Sequence, residues 1–408
     1  MTAFLDQVLA GAVKILSISG LVLGVSLNSH AQTRPTAKSS DRYNPAVLKL
    51  IYSVDPTKPN SSVLDTILIP VQGEAIARRS TLDPQQFATT LRTFYGEVAS
   101  LRPIETDQPT SPARRLHDLL IGPLEQELKE RKITTLLISA NPGLQAVPFA
   151  ALHDGDAWFG SRFSFSLTPS LSLMPKQEGS RGETTALLAG ATSFNGLAPL
   201  PMVEQELQQI SKIRAGSTYL NEQFTRQVFD TLSRESGVDL VHLSTHAEFL
   251  PGGPKQSKLY LGQGSLSIDE FAALRLSREN QPFDLFTLSA CRTAHGDHDS
   301  ELGLAGLALQ AGAKTAIGSL WYVDDLATTL YFIRFYRLLD QGLPKGEAMR
   351  QVRAEFANNA LVLRDASVVD PDGELLLDNL TANQQRKLRN RLDHPFYWAA
   401  PIMLGLPW

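Results

Sequence analysis

The sequence contains a single cysteine, Cys291, among its 408 residues. One cysteine cannot form a disulfide within the chain, so it is a buried small side chain, a reactive thiol or half of an intermolecular bond. The sequence also lacks a CxxC pair and any cluster of histidine and cysteine at metal-ligand spacing. A structural zinc site is therefore not expected, and we predict no metal and no cofactor.

Strong charge of either sign is missing too, because the formal net charge is −4 at pH 7. A nucleic-acid-binding protein would carry a basic excess, so nucleic acid is not expected as a partner. No repeat of fixed period is seen, which speaks against a solenoid array. The hydrophobic content of 43% is that of a globular protein with a full core, and the length allows one large domain or two ordinary ones.

The apolar run near the N-terminus, Ile15 to Leu27, has 13 residues, which is short for a membrane-spanning helix. It follows Lys14 and precedes small residues that end at Ala31, so we predict a signal peptide of residues 1–31. The chain would then be secreted or periplasmic, with no stable membrane insertion after cleavage. Because Asp6 offsets Lys14, an uncleaved anchor and a buried N-terminal helix stay open as alternatives, and without a signal peptide the chain would be cytoplasmic.

The next part of the chain combines a hairpin with helices. Residues 32–45 are polar and are predicted to form a linker. Two β-rich runs, 46–54 and 63–71, flank a turn-forming stretch and predict a β-hairpin. Asp83-Pro84 and Ser111-Pro112 each predict the start of a helix, because proline is favoured at the first helical position.

From Thr134 onward, strands alternate with helices. The strands are continuous apolar runs rather than alternating ones, which predicts an α/β fold with a mostly parallel sheet covered by helices on both faces. Ligands of such sheets bind at the carboxyl ends of the strands. An aspartate, Asp325, is predicted to cap a long helix over residues 326–339.

Two of the predicted strands are followed at once by a reactive side chain. His246 follows the run 239–244, and Cys291 follows the run 284–289, 45 positions later in the chain. If these strands pair directly, or with one strand between them, the two side chains can meet, since neighbouring strands lie about 4.8 Å apart. An imidazole next to a thiol generates the thiolate nucleophile and later protonates the leaving amine.

The backbone N–H groups of Cys291 and Ala247 are the candidate oxyanion donors. Simpler explanations exist for both side chains, since a lone cysteine beside a core strand usually packs as a hydrophobe and a lone histidine usually makes an ordinary hydrogen bond. His242 lies within an apolar run and is expected to pack in the core. His295 and His298 fall in a polar stretch and are expected to be solvated.

Several motifs in order resemble the CHAT domain family. They are Leu288 to Ala294, Gly303 to Gly312, Ser319 to Asp325, His242 to Phe249 and His394 to Pro401. The resemblance spans residues 46–408, with 46–133 as an N-terminal hairpin and helices. It implies a caspase-hemoglobinase fold, and it implies that His246 and Cys291 form a catalytic dyad that acts on a protein or peptide substrate.

The resemblance also implies a substrate cleft. Residues Trp321 to Asp325 would line it, and Asp324 or Asp325 would contact a basic side chain; Glu248 is a weaker candidate for the cleft wall. The chain departs from many relatives of the wider clan in carrying Ala247 where they have glycine after the histidine. The tetratricopeptide repeats of many relatives are not seen in this sequence.

The hypothesis from the sequence is thus a cysteine endopeptidase. The alternatives are a non-catalytic binding or scaffold module on the same frame and an enzyme that processes only its own chain, at the polar stretches 251–257 and 293–300. The oligomeric state is left open.

Overall fold

The computed structural model describes residues 43–54, 58, 61–141, 144–168, 185–232, 237–248, 258–267, 270–271, 283–289, 303–310, 313–322 and 324–408. Cys291 lies outside these ranges. So do the predicted signal peptide, all but the last residues of the predicted linker, His295, His298 and the stretches 251–257 and 293–300.

The described residues form seventeen strands. In chain order they are β1 (Pro45–Val54), β2 (Ser62–Pro70), β3 (Ile76–Leu82), β4 (Thr135–Ala140), β5 (Ser164–Thr168), β6 (Thr185–Gly190), β7 (Gly216–Leu220), β8 (Val238–Ser244), β9 (Ala247–Glu248), β10 (Lys258–Tyr260), β11 (Ser265–Ser267), β12 (Leu285–Ser289), β13 (Thr315–Ser319), β14 (Val362–Arg364), β15 (Ser367–Val369), β16 (Leu375–Leu377) and β17 (Pro401–Gly405).

Eleven strands make one large sheet in the order β3-β2-β1-β4-β5-β17-β13-β12-β8-β6-β7. Neighbours are parallel except for the pairs β1–β2, β2–β3 and β13–β17. The prediction of a mostly parallel sheet is therefore confirmed. Two small antiparallel sheets, β11-β10-β9 and β14-β15-β16, complete the described strands.

Ten α-helices are described. They are α1 (Pro84–Val98), α2 (Pro112–Leu120), α3 (Glu125–Glu130), α4 (Phe159–Arg162), α5 (Val203–Ile213), α6 (Arg226–Leu232), α7 (Gly303–Gln310), α8 (Asp325–Asp340), α9 (Lys345–Ala357) and α10 (Ala382–Arg389). Short 3-10 turns lie at Gly122–Leu124, Phe149–Ala151, Asn221–Gln223 and Pro395–Tyr397. None of the helices in the described ranges is long and apolar enough to cross a membrane.

The predicted hairpin and helix starts are confirmed. β1 and β2 pair antiparallel over nine positions, from Ala46–Pro70 to Val54–Ser62. Asp83 and Ser111 cap α1 and α2 with their side chains, each followed by proline. The cap of α8 was predicted one residue too late, because the side chain of Asp324, not Asp325, accepts hydrogen bonds from the first amides of that helix.

Burial shows why the strands around the candidate site have continuous apolar sequences. Val241, His242 and Leu243 of β8 are all buried, and so is every residue of β12. Successive side chains of a strand point to opposite faces, so both faces of the sheet are covered there. Helix α8 supplies much of this cover, since most of its residues are buried.

The most C-terminal strand, β17, lies in the middle of the large sheet. It runs antiparallel to β13 over five positions and meets β5 in the parallel sense at Leu404 and Leu167. The strands β1 to β5 lie on one side of β17 and the strands β6 to β13 of the large sheet lie on the other.

Candidate active site

The strands that lead to His246 and Cys291 are direct neighbours. β8 and β12 pair in parallel, with Ser244 opposite Ser289 at their carboxyl ends. The backbone N–H of Thr245 continues the ladder by donating to the carbonyl of Ser289 at 3.3 Å. His246 follows Ser244 by two residues, and Cys291 follows Ser289 by two residues in the sequence. The expected pairing of the two strands is thus observed, although Cys291 itself lies outside the described residues.

The imidazole of His246 is held by a backbone carbonyl. Its side chain is buried, with the residue 8% exposed, and Nε2 lies 2.7 Å from the carbonyl oxygen of Ala198. A carbonyl can only accept, so Nε2 carries the proton that it donates. In the neutral ring, Nδ1 is then the basic nitrogen. The ring of Phe194 packs edge-on against the imidazole at a centroid distance of 4.7 Å.

Ala198 and Phe194 belong to the segment that joins β6 to α5, residues 191–202. Near its start, the amide and the hydroxyl of Thr192 both donate to the Asn221 side-chain oxygen, at 2.9 and 3.0 Å. The amide of Leu200 donates to the carbonyl of Thr192 at 2.9 Å, which closes the segment on itself. The imidazole of His246 is therefore oriented by a backbone carbonyl of a loop whose own hydrogen bonds hold it in place. No side-chain motif in the sequence predicts such a partner.

The backbone of His246 is fixed by the small sheet that follows it. The amide of Tyr260 donates to the carbonyl of His246 at 2.9 Å, and the hydroxyl of Thr245 donates to the carbonyl of Tyr260 at 2.7 Å. Bonded and non-bonded pairs alternate in an antiparallel ladder, so the next pair, Ala247 with Leu259, is non-bonded. The Ala247 N–H thus points away from β10 and is not used in that ladder.

Glu248 is the second residue of β9 and is half-buried. Its carboxylate accepts a hydrogen bond of 2.7 Å from the hydroxyl of Tyr260. This bond raises the pKa of Tyr260 above its usual value. One of the two carboxylate oxygens of Glu248 thus accepts a hydrogen bond from Tyr260, and this bond holds the carboxylate in one position.

The predicted cleft residues after β13 are engaged in internal contacts. Trp321 is only 4% exposed, and its indole N–H donates to the carbonyl of Phe396 at 3.0 Å. Asp324 caps α8 and forms an ion pair with Lys387. Asp325 is half-buried and accepts the backbone N–H of Met202 at 2.9 Å. The polar groups of these three side chains are thus bonded to other parts of the chain.

Burial has a marked effect on Asp325. It raises the pKa of the carboxyl to about 7, and the nearby carboxylates of Glu206 and Asp324 act in the same direction. The hydrogen bond from Met202 and the charge of Lys387 oppose this rise. Perturbed carboxyls of this kind concentrate at functional sites.

A buried polar network lies beneath the carboxyl ends of β8 and β12. His242 was expected to pack in the core, and it is fully buried. Its Nε2 lies 2.7 Å from the carboxylate of Glu206 on α5, and its Nδ1 lies 3.1 Å from the hydroxyl of Tyr336 on α8. The second oxygen of Glu206 accepts from the hydroxyl of Thr329 at 3.0 Å. His242 is thus a structural link to both helices.

Among the described residues, no group of three or more histidine, cysteine, aspartate or glutamate side chains is arranged to hold a metal ion.

Comparison with known families identifies the family to which the chain belongs. The CHAT domain matches residues 110–406, which is most of the chain. The chain belongs to the CHAT domain family. Strands β1 to β3 precede this match, yet they are hydrogen-bonded into the same sheet through β1 and β4.

Two curated relatives of this CHAT chain are much longer proteins. Tetratricopeptide repeat protein 28 of Homo sapiens is 22% identical over 334 residues, which cover 66% of this chain and 13% of that protein. Its counterpart in Mus musculus is 23% identical over 339 residues, which cover 66% of this chain and 14% of that protein. The chain therefore spans about one seventh of the relatives it matches.

Solved structures place the CHAT chain in the caspase-like class of folds. A chain of the Saccharomyces cerevisiae separase–securin complex aligns with a TM-score of 0.51 and 11% identity, over 90% of this chain and 30% of that one. The Arg specific cysteine proteinase gingipain R aligns with a TM-score of 0.45 and 10% identity, over 92% of this chain and 79% of that one. The separase-complex match shows the shared fold alone, and it agrees with the caspase-hemoglobinase fold expected from the sequence.

Proposed function

We propose that this CHAT domain is a cysteine endopeptidase that hydrolyses peptide bonds of a protein substrate, with Cys291 as nucleophile and His246 as general base. The observation that carries the proposal is the 2.7 Å contact between His246 Nε2 and the carbonyl of Ala198. It assigns the ring proton to Nε2 and leaves Nδ1 to take a proton from a thiol. It also supplies the third, orienting partner of a nucleophile–base pair.

The covalent chain limits how far the Cys291 thiol can lie from the His246 imidazole. Both residues come two positions after the paired ends Ser244 and Ser289. Two residues span at most about 7 Å, and paired strands lie about 4.8 Å apart. The direct pairing of β8 with β12 therefore allows the thiol and the imidazole to meet at the carboxyl edge of the sheet.

The reaction uses these groups in sequence. His246 Nδ1 takes the thiol proton of Cys291, and the thiolate attacks the carbonyl carbon of the scissile peptide. The backbone N–H groups of Ala247 and Cys291 stabilise the resulting oxyanion. The imidazolium gives its proton to the leaving amine as the C–N bond breaks and the thioester forms. A water molecule, deprotonated by His246, then hydrolyses the thioester and regenerates the thiol.

Of the predicted cleft residues, we retain Glu248 as a wall of the substrate site, since it directly follows Ala247 on β9. Trp321, Asp324 and Asp325 are assigned no contact with the substrate, because their polar groups bond within the chain. The substrate class proposed is a protein or peptide, and no side-chain preference is assigned.

The test uses the chain's single thiol as a reporter. We expect iodoacetamide to alkylate Cys291 at pH 7 faster than it alkylates a free cysteine peptide, because His246 generates thiolate. His246→Gln should slow the reaction, whereas His153→Gln should not, although His153 is equally buried. An alkylation rate indifferent to His246 contradicts the dyad.

Catalysis is tested with a proteome-derived peptide library and mass spectrometry. Cys291→Ala should abolish cleavage, and His246→Gln should lower it by about 10²–10⁴-fold. Cleavage that survives Cys291→Ala overturns the proposal. A reactive thiol without any cleaved peptide favours the scaffold alternative instead.

A further inference from the structure

We propose that Asp325 is a positioning residue for His246, acting through the 191–202 segment that carries the Ala198 carbonyl. The catalytic consequence rests on the proposed endopeptidase function, whereas the effect on the imidazole does not. Asp325 was a candidate for contact with substrate in the sequence, and its contacts assign it another role.

The first step is the bond between Asp325 and Met202. The carboxylate Oδ2 accepts the Met202 amide at 2.9 Å, across 123 positions of sequence. Met202 is the N-cap residue of α5, and no side chain within α5 caps that helix end. Asp325 therefore supplies from α8 the acceptor that the start of α5 lacks, and it fixes the end of the 191–202 segment.

The second step leads from Met202 to His246. Ala198 lies four residues before Met202, and its carbonyl accepts the Nε2 proton of His246 at 2.7 Å. Near the other end, Thr192 is held by Asn221. The Ala198 carbonyl thus lies between two fixed points of the segment, Thr192 and Met202. Loss of the bond to Asp325 releases Met202, which is the nearer of the two.

The third step concerns the surroundings of the anchor. Helix α10 covers it, since the side-chain amide of Gln384 lies 2.8 Å from the Met202 sulfur and Lys387 pairs with Asp324. Glu206 on α5 faces the same region, where both of its oxygens are hydrogen-bonded to other partners. The charged groups around Asp325 are thus Glu206, Asp324 and Lys387.

The choice of an acid at this position is costly for the fold. Burial raises the pKa of Asp325 to about 7, which means that the folded protein disfavours the charged form. Asparagine would offer the same acceptor without that cost. The proposed role needs only this acceptor oxygen, so it rests on the bond to the Met202 amide and not on the charge of Asp325.

The experiment compares variants that keep or lose the acceptor. Asp325→Asn retains an oxygen for the Met202 amide, whereas Asp325→Leu, of similar shape, and Asp325→Ala do not. Asp340→Ala is the matched control, because Asp340 ends the same helix and pairs with Arg214 at the far end of α5. Folding of each variant is checked by circular dichroism.

The main readout is the ¹⁵N spectrum of the histidine side chains, which reports the tautomer of His246 without any need for activity. We expect the Nε2–H form in the wild type, in Asp325→Asn and in Asp340→Ala, and a mixture of tautomers in Asp325→Leu and Asp325→Ala. For a cleaved peptide, kcat should fall about 10–100-fold in the last two variants with KM within twofold, because the base is misplaced.

An unchanged tautomer in Asp325→Leu or Asp325→Ala overturns the proposal, and so does an equal change in Asp340→Ala. Failure of Asp325→Asn to match the wild type excludes the acceptor role. If neither apolar variant folds, amide exchange decides, since rapid exchange of the Met202 amide in the wild type contradicts the anchor. Absence of any peptidase activity would refute the proposed function, while the spectra would still decide the role of Asp325.

Discussion

His242 on β8 and Thr287 on β12 occupy paired positions, and both side chains lie within hydrogen-bond distance of the Tyr336 hydroxyl, at 3.1 and 3.0 Å. Each of them precedes a proposed catalytic residue by four positions, since His246 follows the first and Cys291 follows the second. One hydroxyl of α8 therefore connects the two strands on which the dyad depends, at a depth where water does not compete.

Tyr336→Phe removes this hydroxyl with little change of shape. It leaves the ring nitrogen of His242 and the hydroxyl of Thr287 without that buried partner, so we expect the free energy of unfolding to fall by about 1–3 kcal/mol. Urea denaturation measures the change. Tyr52→Phe, at a half-buried ring on β1 that stacks on Phe87, is the control and should stay within about 0.5 kcal/mol. Equal losses in both variants would contradict the role of the hydroxyl.

Arg334 is a buried charge held by carboxylates from two other elements. Its guanidinium makes two bonds of 2.9 Å to Glu355 and one of 2.7 Å to Asp370. Arg334→Met would leave the buried Glu355 carboxylate without the guanidinium that pairs with it and Asp370 with only Arg337, at 3.6 Å. We expect the free energy of unfolding to fall by about 3–5 kcal/mol in denaturant titrations. The bidentate pair of Arg79 with Asp65 is exposed, so Arg79→Met should give a change within experimental error. A small effect at Arg334 would show that the cluster relaxes or hydrates.

Gly190 ends β6 beside the carboxyl end of β8. A Cβ atom there would lie 2.5 Å from the carbonyl of Ser244 and 2.6 Å from a methyl of Val203. We expect Gly190→Ala to destabilise the fold by about 1–3 kcal/mol, because backbone must move. Gly96→Ala on α1 meets open space and should raise stability by up to about 1 kcal/mol. Thermal unfolding decides, and a neutral Gly190→Ala would mean that β6 and β8 separate easily.

Asp325 makes stability depend on pH in a defined window. Its pKa rises from 3.8 to about 7 on folding, so the folded chain keeps a proton that the unfolded chain releases. The unfolded state therefore binds fewer protons between about pH 4 and 7, and stability falls as pH rises through that window and is constant above it. Asp325→Asn removes this dependence on pH. The free energy of unfolding of the variant should therefore exceed that of the wild type by an amount that grows from zero near pH 4 to at most about 4 kcal/mol at pH 8.

Denaturation of both proteins across that pH range measures the difference. Asp340→Asn, at an exposed carboxyl on the same helix, should show no such growth. If the difference in the free energy of unfolding between Asp325→Asn and the wild type does not change with pH, the carboxyl of Asp325 is in contact with water and its pKa is not raised by burial.

The parts of the fold that the sequence predicts are those with local signals. The apolar runs of β8 and β12 indicate buried parallel strands, and Asp83 and Ser111 announce helices through their own side chains. The edge strands β3 and β7 escape prediction because they are largely exposed and carry no apolar pattern. Two adjacent acids, Asp324 and Asp325, stand at the start of α8, and only the backbone geometry decides that Asp324 caps it.

The candidate site was harder to predict from the sequence than the fold. His246 can be proposed from its place after a strand, but its partner is the backbone of Ala198, 48 positions away, and any residue type has a carbonyl. The bond from Met202 to Asp325 is likewise invisible in the sequence. The burial of His242 was predictable from its apolar neighbours, whereas its pairing with Glu206 depends on how α5 packs.

The central place of β17 has a consequence for biosynthesis. The strands β1 to β5 are synthesised before the strands β6, β7, β8, β12 and β13. Among the described strands of the large sheet, these two groups are connected only by β17. The large sheet therefore stays in two parts until residues 401–405 are made. Contacts between such distant parts of a chain form slowly. A peptidase assembled in this order would gain its complete sheet only after residues 401–405 have left the ribosome, and its activity would appear no earlier.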